Sequence, residues 1–144
     1  MKKNKSVIIG SGRLGASIAA MLSDIGNDVV IIDKDDTSFR KLADTFGGYD
    51  VIGDATDLSI LENEALIKEA KEVIITTDSD NVNLFIAHLC FYIIDVPNIY
   101  VRLSDVDKGK LIKNTTIQAI YPFILSIDEF MNMRGLNHHE NSHS

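Results

Sequence analysis

Gly10-Ser11-Gly12-Arg13-Leu14-Gly15 decides how the rest of the chain is read. It matches G-x-G-x-x-G, and it stands directly behind a short β-rich run and ahead of a segment with helical periodicity. That context turns a common glycine pattern into a dinucleotide-type phosphate loop. Gly10 permits the tight turn, Gly12 lets the backbone approach a pyrophosphate with no Cβ in the way, and Gly15 allows close packing of helix on strand. The helix opening adds free N–H donors and a partial positive charge suited to phosphate.

Outward from the loop, short apolar runs alternate with helical segments, as in a parallel sheet built from βαβ units. Strands are predicted at 6–10, 28–33, 50–53, 72–76, 99–103 and 119–121. The run Val29-Val30-Ile31-Ile32 is continuously apolar, as a strand covered on both faces should be. Leu14, Ile18, Met21, Leu22 and Ile25 form one stripe of a first helix, ended by Gly26, and Phe39, Leu42, Ala43 and Phe46 repeat the pattern. Further helices are predicted through Leu58, Leu61 and Ala65, over 81–94, and through Val106 and Leu111. A last one carries Leu125, Ile127, Phe130, Met131 and Met133. The predicted fold is α/β, a doubly wound Rossmann fold with a six-stranded parallel sheet in the order 3-2-1-4-5-6. Residues 1–124 form the nucleotide-binding lobe, 125–136 an amphipathic helix suited to a dimer contact, and 137–144 a polar, disordered tail.

Asp33 closes the second strand at about the 20-residue spacing expected of the acidic partner in this fingerprint. A carboxylate there accepts the hydroxyls of an adenine-linked ribose and repels a 2′-phosphate, which favours NAD(H) or an adenine nucleotide over NADP(H). Lys34 offsets that repulsion a little.

The chain has 144 residues, 45% of them hydrophobic, enough for one domain with a real core. A single cysteine, Cys90, excludes an intrachain disulfide. With 14 Lys and Arg against 21 Asp and Glu, the formal charge is -7. Neither nucleic-acid binding nor direct binding to anionic lipid is expected of such a chain. The longest nearly apolar run, 84–94, contains His88 and is about half the ~20 residues a membrane span needs. The N-terminal apolar run 7–9 is too short for a signal peptide, so a cytoplasmic location is expected.

Together, the glycine loop, Val30-Ile31-Ile32-Asp33, Gly53-Asp54-Ala55-Thr56-Asp57, Ile75-Thr76-Thr77-Asp78-Ser79-Asp80-Asn81 and Tyr100-Val101-Arg102 resemble the N-terminal lobe of RCK proteins, also called the TrkA N-terminal domain. The resemblance covers about residues 5–122. Its most specific elements are Arg13 inside the glycine loop and the block 53–57. Members of that family are cytoplasmic regulatory subunits or domains of potassium channels and transporters. They bind NAD(H), ATP or ADP and pair into dimers that assemble into rings.

The resemblance implies phosphate contact by the backbone of Ser11, Gly12, Arg13 and Leu14, with the Arg13 guanidinium on the terminal phosphate. It implies ribose contact by Asp33, an adenine edge at Asp54, Ala55 and Thr56, and a cleft mouth at Thr76, Thr77 and Asp78. Arg102 becomes a second cationic contact for phosphate or nicotinamide ribose. The pattern departs where many ATP-responsive members carry Pro-Glu after the last strand: here Pro122 precedes Phe123, so metal-assisted nucleotide switching does not carry over. No C-terminal ion-sensing lobe is expected in this stretch of chain.

Other signals have simpler readings. The carboxylates Asp33, Asp35, Asp36, Asp54, Asp57, Asp78 and Asp80 fit helix capping better than metal binding. His138, His139 and His143 lie in the polar tail. His88 and Cys90, two positions apart on a helix, point in different directions and do not form a catalytic pair. The expected function is non-enzymatic: a regulatory subunit that binds NAD(H) or ATP, ADP or AMP and acts through a membrane potassium channel or transporter, as a homodimer or higher ring. The alternatives are a free-standing nucleotide sensor for another protein and a fragment of an NAD-dependent oxidoreductase.

Overall fold

The computed structural model describes residues 4–36 and 46–136. Six parallel strands, β1 (Lys5–Ile9), β2 (Asp28–Asp33), β3 (Tyr49–Ile52), β4 (Ala70–Ile75), β5 (Asn98–Arg102) and β6 (Gln118–Ile120), pair in the order β3-β2-β1-β4-β5-β6. This is the predicted doubly wound order, with its reversal at β1 and β4. In β1, Ile9 stands opposite both Ile32 and Ile75, so the apolar runs seen in the sequence form the centre of the sheet.

Side-chain alternation divides that centre into two cores. Val7, Ile9, Val30, Ile32, Val73 and Ile75 face the side covered by α2 (Asp80–Leu89), against Leu84, Ile86 and Ala87. Ile8, Val29, Ile31 and Ile74 face the opposite side, covered by Ala19, Ile18 and Leu22 of α1 (Arg13–Asp24). Both faces are therefore apolar, which is why β1, β2 and β4 read as continuous hydrophobic runs rather than alternating ones.

The α1 stripe needs correcting. Its buried positions are Gly15, Ala16 and Ala19, while Met21 and Ile25 are exposed. The helix lies so close to the sheet that only small side chains fit on the line of contact, and bulkier ones are displaced to its flanks. Strand β1 also ends at Ile9, because Gly10 takes φ +98° and leaves the extended conformation.

The helix predicted over 81–94 is α-helical only to Leu89. A π-helical segment, Cys90–Ile94, then runs to Asp95, whose φ of +65° ends it. The helix through Leu58, Leu61 and Ala65 contains a π-helical segment, Ile60–Glu64, and the one through Val106 and Leu111 is 3₁₀, Val106–Ile112. The last helix, α3 (Pro122–Met133), opens with Pro122 in its first turn, so the 124/125 division falls inside a helix. The helix predicted around Phe39, Leu42 and Ala43 and the tail 137–144 lie outside the described residues.

Among the described residues no helix is long and apolar enough to cross a membrane. His88 and Cys90 are separated as expected. Both His88 ring nitrogens lie within 2.9 Å of backbone carbonyls, those of Leu84 and Leu111, and Cys90 is sealed in the core. Burial pushes the Cys90 thiol up to about 12. Unfolded, the thiol ionises near 9.0, so between that pH and about 12 unfolding releases a proton and stability falls as pH rises. At pH 8 the native protein should react with a maleimide only as fast as it unfolds, and denaturant should raise the labelling rate sharply. Rapid labelling of the folded protein would contradict this packing.

Candidate functional site

At the carboxyl ends of the strands, where open α/β sheets bind ligands, lies a cleft of about 610 Å³. Its floor is the glycine loop, and each glycine has a separate reason. A Cβ at Gly10 would come within 2.9 Å of the backbone at Thr76 and Thr77. One at Gly15 would overlap the Gly10 carbonyl oxygen and stand 2.6 Å from Thr76 Oγ1. At Gly12 a Cβ would meet nothing within 4 Å. Gly10 and Gly15 are thus required by the protein's own packing, whereas the space over Gly12 is open on the cleft side, as an approaching phosphate requires.

Asp33 is held ready. Its Oδ2 accepts the Ser11 N–H at 2.9 Å and the Ser11 hydroxyl at 3.1 Å, and its Oδ1 accepts the Asp35 N–H at 2.9 Å. A carboxylate offers about four acceptor positions, so about one remains for a ribose hydroxyl. A second hydroxyl must displace Ser11 Oγ or the Asp35 N–H. The bond from Ser11 also ties the glycine loop to the end of β2.

Asp54, Ala55 and Thr56 follow β3 and line the same cleft. Asp54 Oδ1 accepts the Thr56 hydroxyl at 2.7 Å and the Thr56 N–H at 2.9 Å. Those two bonds, helped by nearby Lys34, hold the Asp54 carboxyl below its ordinary range against a small burial effect. Opposite, Thr76, Thr77, Asp78 and Arg102 form the other wall. The Thr76 hydroxyl is 3.1 Å from the Gly10 carbonyl and 3.2 Å from that of Ile9, so it supports the loop from beneath. Arg102 Nε is buried and finds no acceptor among the described residues, an orphaned donor on the wall of a cleft suited to anions.

Of the residues singled out in the sequence, Gly10, Gly12, Asp33, Lys34, Asp54, Ala55, Thr56, Thr76, Thr77, Asp78 and Arg102 meet around this cleft. Ser11, Arg13, Leu14 and Gly15 do not line it. Ser11 is buried beneath Asp33 and Gly15 against the sheet, while Arg13 is exposed at the first position of α1.

Sequence reading missed Asn83, quoted Ser79 without a role, and took Asp80 for a capping carboxylate. Ser79 caps α2, its hydroxyl accepting the Val82 N–H, and a Ser before a helical run is a recognisable capping signal. Asp80 accepts the N–H groups of Ser104 at 2.8 Å and Asp105 at 3.0 Å, with Lys108 at 4.0 Å. Burial acts to raise its pKa, but those two N–H groups and Lys108 together outweigh it and leave the carboxyl below its ordinary value. Among the described residues no three His, Cys, Asp or Glu side chains converge as a metal site.

The family model for the TrkA-N domain matches residues 6–122. The Trk system potassium uptake protein TrkA of Streptomyces coelicolor is 32% identical over 125 residues, covering 87% of this chain and 56% of that protein. A Trk system potassium uptake protein TrkA homolog of Pyrococcus horikoshii is 38% identical over 104 residues, covering 72% of this chain and 44% of the relative. The chain spans about half the length of the curated relatives it matches. Among solved structures, the NAD(P)-binding domain of an exopolyphosphatase-related protein from Archaeoglobus fulgidus superposes with a TM-score of 0.74 at 25% identity, covering 93% of this chain and 98% of that one. The GsuK RCK domain superposes at 0.77 with 22% identity, over 99% of this chain and 30% of that one, a likeness of fold.

The glycines make a contrast that stability measurements can read. Gly12 has φ −68° and ψ −171°, open to any residue, so Gly12→Ala should unfold in urea within about 0.5 kcal/mol of the parent. Gly15→Ala must push α1 off the sheet and should cost about 1–3 kcal/mol or more. Equal stabilities for the two variants would contradict the close approach of α1.

Proposed function

Because this chain belongs to the TrkA-N domain family, we propose that it is the nucleotide-binding part of a regulatory component of a potassium transport system. The observation that carries the reading is the cleft. A pre-oriented Asp33, an unobstructed approach over Gly12 and an orphaned Arg102 donor lie along one groove. That sequence of groups suits a ribose, a phosphate and a further anionic or ribosyl group in turn, which favours NAD(H), ATP, ADP or AMP as ligands. The side chain of Arg13, exposed at the start of α1, can fold over a bound phosphate as a planar fork.

The potassium link is drawn from relatives named for Trk and Ktr potassium uptake systems. In this reading the ligand acts by favouring one arrangement of the domain and its partners over another, to the extent that it binds the two arrangements with different affinity. The exposed apolar side chains of α3, among them Phe123, Leu125, Ile127 and Phe130, suit a contact with a second copy. The partner is a membrane potassium channel or transporter subunit met on the cytoplasmic side. The relatives are named as potassium uptake proteins, which favours a binding role over an oxidoreductase. A free-standing sensor acting on another protein shares the same site and differs only in partner.

Titration calorimetry with NADH, ATP, ADP and AMP tests the site. Asp33→Ala and Arg13→Ala should each weaken the tightest ligand about tenfold or more, since a hydrogen bond to a charged group contributes about 1.5–3 kcal/mol. NADPH should bind more weakly than NADH to the parent protein, because Asp33 repels its 2′-phosphate. Unchanged affinity in both variants would overturn the site. Recovery of the protein from cells without any ion-transport membrane protein would favour the sensor reading over potassium.

A further inference from the structure

Asn83, in the first turns of α2, is fully buried, one of four buried polar residues among the described residues. Every hydrogen-bonding position of its amide is used. Oδ1 accepts the Thr77 N–H at 3.1 Å and the Thr77 hydroxyl. Nδ2 donates to the Thr77 carbonyl at 3.0 Å and to the Arg102 carbonyl at 2.9 Å. Turning the amide over would set its NH₂ against an N–H and its oxygen against two carbonyls, so this orientation is the one the surroundings permit.

The bonds fall at a gap in the sheet. The last paired residues of β4 and β5 are Ile75 and Val101, and beyond them the two chains diverge to form the Thr77 and Arg102 wall. Asn83 rejoins them there, from beneath. Asp80, a turn earlier, ties down the segment that follows β5 through Ser104 and Asp105. If Asn83 were lost, the loop would keep the Asp80 anchor and Arg102 would keep its pairing with Ile120 of β6, but the bond that ties Arg102 to Thr77 through α2 would be gone.

Position along the cleft decides what this affects. Asp33 ends β2 and Gly12 follows β1, whereas Thr77 follows β4 and Arg102 ends β5. Neighbouring strands are about 4.8 Å apart, so an adenosine ribose at Asp33 with its phosphate at Gly12 stops short of the Arg102 wall by about one to two strand spacings. Only a ligand extending past its first phosphate gets there.

We propose that Asn83 is a positioning residue that, by joining Thr77 to Arg102, sets the wall met by the distal half of a dinucleotide and so selects extended ligands over nucleoside monophosphates. The inference rests on the nucleotide reading above and adds to it the residue that controls discrimination by length. Asn83 itself touches no ligand in this account; it acts through Arg102 and Thr77.

The test compares NADH with AMP by calorimetry on the full chain. Asn83→Ser should weaken NADH at least tenfold and change AMP less than twofold, and Arg102→Ala should show the same split. The double variant should bind NADH no more weakly than Arg102→Ala alone, because the two residues act through one wall. Equal losses for both ligands, or losses that add in the double variant, would overturn the proposal and leave Asn83 a purely structural amide. A second measurement needs no variant: the side-chain NH₂ resonances of Asn83 in isotope-labelled parent protein should shift on saturation with NADH and stay in place with AMP. Resonances unmoved by NADH would overturn the proposal even if Asn83→Ser fails to fold. Parent protein that binds neither NADH nor AMP would remove the nucleotide reading and this inference together, whereas tight binding without the split removes this inference alone.

Discussion

The closeness of α1 to the seam between β1 and β4 is the constraint on which the rest of the molecule depends. Gly15 faces the Gly10 carbonyl, and the Thr76 hydroxyl reaches the same oxygen at 3.1 Å. A helix held there can bury only Gly15, Ala16 and Ala19, and its first N–H groups are delivered to the carboxyl edge of the sheet. Ser11 is carried with it into reach of Asp33, so the floor of the cleft and the Asp33 carboxylate are set by one packing contact. Thr76 links that contact to β4 and thereby to the far wall of the cleft.

The charge of the site differs from the charge of the chain. A formal charge of -7 and a rim carrying Asp33, Asp35, Asp54 and Asp78 do not attract phosphate at a distance. In the proposed reading recognition comes from short-range donors: the N–H groups at the start of α1, Arg102, Lys34 and Arg13. Several carboxylates are occupied with backbone instead. Asp33 accepts from Ser11 and Asp35, Asp54 from Thr56, Asp57 from Ser59, and Asp105 from Asp107. Acidic residues here stiffen the turns beyond the strands, which pre-organises the cleft and lowers the ordering cost of binding.

Legibility in the sequence followed the range of the interaction. The six strands and their order were readable because each strand's apolar content reflects burial on both faces, and because the glycine loop with Asp33 marks the point of reversal. The α1 stripe was half legible: Ile18 and Leu22 do pack on the core, but periodicity finds large apolar residues, whereas the line of closest helix-to-sheet contact admits only small ones. The π-helical ends at Ile60–Glu64 and Cys90–Ile94 and the 3₁₀ character of Val106–Ile112 carry no periodic signature in segments so short. Asn83 was invisible for a related reason. A single amide at the edge of an apolar run reads as a polar boundary until the two segments it joins are brought beside it.

Sequence alone determined the local chemistry of this protein: which residues turn, which accept, which donate, and the family to which that combination belongs. Those properties depend on neighbours in the chain and survive without coordinates. Tertiary structure decided which of them share a cleft. It turned Ser11 and Gly15 inward, left Arg13 outside, opened the space above Gly12, and placed Asn83 between Thr77 and Arg102. The physical reason is that strand order and helix depth bring together residues far apart in sequence, and hydrogen-bond partners at 2.9–3.1 Å are fixed only when that packing is complete.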